Sequence, residues 1–129
     1  MAFLTHVTLG YNDVPKAKEF YNYVLEPLGY KMIMDMDHMA MFGDDSQDSP
    51  RFGVLSPRNG EPANAANGFT LGFVAPSRAS VNEFYKRAIE KGATDEGAPG
   101  PRDFAPTAYA AYFRDIGGHK VCAYCMAPE

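Results

Sequence analysis

Two stretches of the chain repeat one arrangement of apolar and polar positions. In Phe3-Leu-Thr-His-Val-Thr-Leu-Gly-Tyr11, apolar Val7 and Leu9 alternate with polar His6 and Thr8, the period of two that marks a strand with one covered face. Asn12-Asp-Val-Pro15 then starts a helix, because Asp13 is a capping residue and Pro15 suits a first turn. Over residues 16–28, Ala17, Phe20, Tyr21, Val24 and Leu28 form one apolar stripe at helical spacing, and Gly29 is the expected stop. Strands are predicted over residues 30–35, 39–42 and 51–56, with a turn at Asp37-His38 and a polar loop over 43–50. The order is β-α-β-β-β.

Residues 57–67 carry Pro, Gly and Asn without apolar periodicity and read as a connecting loop. The pattern then returns. A strand is predicted over 68–75, and Ser77 caps a helix with Val81, Phe84, Tyr85, Ala88 and Ile89 as its stripe, ended by Lys91-Gly92. A short strand over 93–96 is followed by a Gly/Pro-dense loop over 97–106. Strands over 107–113 and 119–125 flank a turn at Asp115-Ile-Gly-Gly118.

Laid over each other at an offset of 64, the halves place Glu19-Phe20-Tyr21 on Glu83-Phe84-Tyr85, Glu26 on Glu90, and Val7 and Leu9 on Leu71 and Phe73. With the same order of elements in both, internal duplication is the better reading. The expected fold is α+β: two tandem β-α-β-β-β modules, 1–56 and 68–129, forming a cupped mixed sheet with helices outside, all within one domain of 129 residues. In the overlay His6 falls on Thr70.

Composition narrows the partners. With 46% apolar and 22% charged residues the chain is globular rather than disordered. A net charge of −4 and no Lys/Arg cluster argue against nucleic acid. No apolar run reaches membrane-spanning length, and the first residues lack a signal-peptide pattern, so a cytoplasmic protein is expected. Cys122 and Cys125 have C-x-x-C spacing, but Lys120-Val-Cys-Ala-Tyr-Cys125 reads as a strand. Residues three apart on a strand face opposite ways, so two separate, buried or half-buried thiols are expected rather than a redox pair or shared chelation.

Thr5-His-Val-Thr-Leu9 leading into a helix with Phe20-Tyr21, the Gly97-Ala-Pro-Gly-Pro-Arg102 loop, and the closing Tyr112-Phe-Arg-Asp-Ile-Gly-Gly-His-Lys-Val-Cys122 together resemble the vicinal-oxygen-chelate superfamily of glyoxalases, bleomycin-resistance proteins and extradiol dioxygenases. The close is similar to that family's Phe-x-x-Asp-Pro-x-Gly-Asn-x-x-Glu ending. The resemblance implies a cup that, in the enzymes, holds a divalent metal on ligands from the first and last strand of each module. It also implies a homodimer, as is common for members of this size. His6 matches one ligand position. Thr70 stands where a second His is expected, Cys122 where the terminal Glu is expected, and residues 51–56 offer no ligand. A site of His6 and Cys122 is short of the three or four protein ligands that zinc uses.

These residues imply a small-molecule binding protein that has largely lost its metal ligands, with no cofactor. The alternatives are a glyoxalase-type lyase, isomerase or dioxygenase using Zn, Ni or Fe on His6 and Cys122, and a degenerate homologue without a ligand. His6 is the candidate for acid–base chemistry. His6, Thr70, Arg102, Cys122 and Tyr124 are the candidate ligand-binding residues, with Lys120, Cys122 and Tyr124 sharing a strand face. Of Tyr109 and Tyr112, three apart, at most one lines the cup. Met32, Met34, Met36, Met39 and Met41 alternate along a hairpin as a soft apolar wall. His38 and His119 are expected on the surface.

Overall fold

The computed structural model describes residues 3–128; Met1, Ala2 and Glu129, which the expected modules take in, lie outside them. The chain divides into two compact units, the first ending at Asn64 and the second beginning at Ala65.

In the first unit the elements run β1 (His6–Gly10), α1 (Val14–Val24), β2 (Lys31–Met36), β3 (Met39–Gly43) and β4 (Arg51–Leu55). The sheet order is β1-β4-β3-β2, with β1 parallel to β4 and the other pairs antiparallel. Asp13 caps α1 by accepting from the Lys16 N–H at 3.1 Å. The helix stops before residue 28, where the stripe placed its end. Proline at 27 cannot donate to the helix ladder and crowds the preceding turn. Glu26–Leu28 is therefore a separate 3-10 turn, and Gly29 leaves it at φ 90°. Tyr21 packs its ring on Phe20 and Phe52 at 4.9 and 4.8 Å between centroids, so Phe52 and Phe42 face the helix.

The second unit repeats the plan with β5 (Leu71–Val74), α2 (Arg78–Glu90), β6 (Thr94–Pro101), β7 (Tyr109–Arg114) and β8 (Lys120–Cys125). Its order, β5-β8-β7-β6, is the same one, again with the first and last strands parallel. Ser77 and Ser80 form a reciprocal capping box at the start of α2. Phe84 meets Phe73 and Phe113 at 6.3 and 5.0 Å. The fold class is thus α+β, a mixed four-stranded sheet with one helix in each unit.

Two expectations are corrected here. The Gly/Pro-dense stretch predicted as a loop over 97–106 is a loop only from residue 102; residues 97–101 belong to β6, which runs eight residues from Thr94 to Pro101. β6 is an edge strand, where proline leaves no ladder bond unmade. Its register shifts between Asp95 and Gly97 and again between Gly97 and Gly100, so the glycines mark bulges. His119, expected on the surface, is 4% exposed. The Asp115 carboxylate accepts from the N–H groups of Gly117 and His119 at 2.8 and 3.0 Å, which folds the turn and draws His119 inward.

Candidate functional site

Each sheet has one face against its helix and one face free of it. Strand alternation decides which side chains the helix-free face receives.

In the first unit that face carries His6 and Thr8 of β1, Arg51, Gly53 and Leu55 of β4, and Met39 and Met41 of β3, as the register shows. Met34 and Met36 stand opposite Met41 and Met39. Met32 does not join them. A register shift between Met32 and Met34 sets Met32 opposite Phe42, whose ring faces the helix. The methionine wall therefore has four members. Its centre is Gly53, where an added Cβ would overlap Met41 Sδ and come within 3.1 Å of Thr8 Cγ2.

His6 is exposed, and its Nδ1 lies 3.0 Å from the Thr5 hydroxyl. Its cross-strand neighbour is Arg51, which donates to the Ser49 carbonyl at 2.9 Å. A positive charge on the adjacent strand works against a divalent cation at the imidazole.

In the second unit the helix-free face carries Lys120, Cys122 and Tyr124 of β8, with Ala110, Tyr112 and Arg114 of β7 opposite them and Gly72 and Val74 of β5 on the other side. Tyr109 turns to the helix, where its hydroxyl donates to Asn82 Oδ1 at 2.7 Å and Arg78 lies over its ring. Tyr112 is thus the tyrosine of the pair that shares the helix-free face with Cys122. The Tyr112 and Tyr124 hydroxyls are hydrogen-bonded to each other, and their rings meet edge to face at 5.8 Å. Phe104, in the loop after β6, packs on Tyr124 at 5.4 Å while remaining 67% exposed.

Cys122 and Cys125 are both free and buried, on opposite faces of β8. Cys122 is 3% exposed. Burial pushes its thiol up to about 11, against the opposing pull of the Tyr112 hydroxyl and the charges of Lys120 and Arg102. Burial also raises the Tyr112 phenol, and its hydrogen bond with Tyr124 adds to the shift.

Arg102 is tied to the backbone around it. Its Nη1 donates to the carbonyls of Gly100 and Pro101 at 2.8 and 3.1 Å, and its Nη2 to those of Ala98 and Gly97 at 3.0 and 3.4 Å. It braces the bulged strand and holds its charge 5.7 Å from the Tyr112 ring centre. Lys120 Nζ lies 5.4 Å from the same ring centre. Thr70 is exposed and one residue ahead of β5. The β5 position beside Cys122 is Gly72, where an added Cβ would come within 3.3 Å of the sulfur.

Of the five candidate residues, the structure places Cys122 and Tyr124 on this face and Arg102 beside it, Thr70 just ahead of β5, and His6 on the first unit's face, whereas Gly72 and Phe104, which adjoin Cys122 and Tyr124, were not among the candidates. Gly72 could have been found by counting two residues on from Thr70. Phe104 had no periodic signal, being in a loop.

The first unit's face has one imidazole beside a guanidinium, and the second unit's face has one thiol, which burial pushes up to about 11. Among the described residues, no three His, Cys, Asp or Glu side chains gather where they could hold a metal ion.

The family model described as Glyoxalase/Bleomycin resistance protein/Dioxygenase superfamily matches residues 3–123. No curated protein matches the chain. Among solved structures, the chain is 35% identical to a glyoxalase/bleomycin resistance protein from Albidiferax ferrireducens T118, with a TM-score of 0.87 over 96% of this chain and 98% of that one. It shares its fold with a glyoxalase/bleomycin resistance protein/dioxygenase family enzyme from Burkholderia phytofirmans PsJN, at 18% identity and TM-score 0.73 over 98% and 100% of the two chains. The same holds for a lactoylglutathione lyase from Agrobacterium tumefaciens, at 19% and 0.66 over 97% and 94%. The order of strands in both units and the match along nearly the whole length lead to one conclusion: this chain belongs to the glyoxalase/bleomycin resistance/dioxygenase superfamily.

Proposed function

We propose that the protein is a metal-independent small-molecule binder of this superfamily, its ligand held on the helix-free sheet face of the second unit. One observation carries the reading. Cys122, at the position where the superfamily's terminal carboxylate is expected, is a buried thiol pushed up to about 11. A protonated thiol is a poor metal ligand. Around it stand groups suited to binding: the hydroxyl pair of Tyr112 and Tyr124, which together offer a donor and an acceptor, and the exposed ring of Phe104. The first unit's own helix-free face carries a separate set of groups suited to binding, His6 as a polar anchor and four methionines as an adaptable wall.

The proposal includes a cytoplasmic homodimer. Two free thiols suit a reducing compartment, and Ile33, Met34 and Met36 leave β2 with apolar surface that a second copy would cover.

The test is metal analysis of protein purified without chelators, for the wild type and His6→Ala. The expected result is well under one metal ion per chain in both. Stoichiometric metal that is lost in His6→Ala would overturn the reading in favour of divalent-metal lyase or dioxygenase chemistry.

A further inference from the structure

We propose that the helix-free face of the second unit binds a planar aromatic molecule bearing a carboxylate, with Lys120 as the group that takes the carboxylate. This rests on the binding function proposed above and names its ligand class.

The charge arrangement points to an anion. The chain carries a net charge of −4, yet this face brings Lys120 and Arg102 to the same ring, Tyr112. Among the described residues neither cation is paired with a carboxylate, whereas Arg114 on the same face is paired with Glu96 at 3.7 Å. The two cations differ in what they can still do. All four Nη hydrogens of Arg102 are directed at carbonyls of its own strand and loop, so it acts as a fixed charge. Among the described residues, the Lys120 ammonium is held only by the Tyr112 ring. A cation–π contact of that kind is weak at a partly exposed site. It orients the ammonium without using its three N–H donors. A carboxylate adds charge-assisted hydrogen bonds to them. A cationic ligand would instead meet two like charges.

The rings point to a flat apolar body. Tyr112, Tyr124 and Phe104 form a chain of edge-to-face contacts, at 5.8 Å for the first pair and 5.4 Å for the second. Phe104 is 67% exposed, and Val74, beside Tyr124 in the register, is 72% exposed. Large apolar groups left this exposed next to partly buried aromatics lose water favourably to a ring laid against them. The Tyr112–Tyr124 hydroxyl pair lies within the same group and supplies a polar edge.

The test is isothermal titration of the 129-residue protein, in EDTA, with 2-naphthoate, 2-methylnaphthalene and 2-naphthylmethylammonium as probes. The expected result is saturable binding of 2-naphthoate, weakened roughly tenfold or more by Lys120→Met and retained within about threefold by Lys120→Arg. Phe104→Ala, at an exposed loop position that does not threaten folding, weakens it as well. Ring resonances of labelled Tyr112 and Tyr124 shift on binding. Absence of naphthoate binding, equal or tighter binding of the ammonium compound, or no effect of Lys120→Met in a folded variant would each overturn the ligand class. If the neutral or cationic probe binds under EDTA while the carboxylate does not, the ligand class fails and metal-independent binding stands. If probes bind only after a divalent metal is added, the functional reading fails with it.

Discussion

The two units seat their parallel strand pairs in opposite ways. In the first, Thr8 of β1 lies beside Gly53 of β4; in the second, Gly72 of β5 lies beside Cys122 of β8. Each pair has one glycine and one side chain, but the glycine has changed strands. Over Gly53 the space is taken by the Met41 thioether. Over Gly72 it is taken by the Cys122 thiol, with Tyr112 opposite Cys122 on the next strand. One backbone plan therefore carries two unlike faces, one rich in thioethers and one aromatic and cationic. The scaffold sets which positions share a face, and the residues at those positions set the chemistry.

That likeness of scaffold is open to attack at the core. Phe20 and Phe84 fall on one another in the repeat, and both are almost wholly buried. Replacing either by Ala should cost about 3–5 kcal/mol in urea unfolding, because a cavity is added to the lost burial. Agreement of the two losses within about 1 kcal/mol would uphold equal scaffolds; a negligible loss at either site would break the comparison.

The glycine exchange gives a smaller and more pointed effect. Gly53→Ala should cost about 1–3 kcal/mol through overpacking against Met41 and Thr8. Gly72→Ala should cost less, because its Cβ would stand 3.3 Å from a sulfur that need yield only slightly. Adding Met41→Ala to Gly53→Ala should recover part of the loss. If Gly72→Ala is the costlier change in the same unfolding measurement, the packing account of the two faces is wrong.

Titration gives a further test of the second face. The folded Cys122 thiol holds its proton more tightly than an unfolded one, its pKa raised from 9.0 to about 11. Its contribution to stability is therefore complete below pH 9 and is lost as pH rises through about 11. The wild type should lose more of its urea midpoint over that window than Cys122→Ala does. Parallel losses in the two proteins would show that the thiol is not held protonated. Iodoacetamide should likewise alkylate Cys122 more slowly than a free cysteine at pH 8.

Much of the scaffold was legible because it rests on local rules. The stripe of Val81, Phe84 and Ala88 and the Ser77 cap mark α2, and the alternation of Val7 and Leu9 against His6 and Thr8 marks β1. Local rules failed where tertiary placement overrode them. Gly97 to Pro101 reads as a loop by composition, and only its edge position lets it pair as a strand. His119 reads as a surface residue until Asp115 gathers the turn around its backbone. Within the site, face-sharing by Cys122 and Tyr124 followed from alternation alone. The carbonyls that occupy Arg102 and the ring between Arg102 and Lys120 depend on register shifts and cross-strand pairing, which no single segment encodes.

The central claim is binding without a metal, and a titration in two states tests it most directly. 2-Naphthoate is titrated into protein dialysed against EDTA, and again after one equivalent of Zn2+ is restored without chelator. The account predicts the same affinity and stoichiometry in both. Binding that appears only with the metal present would contradict it.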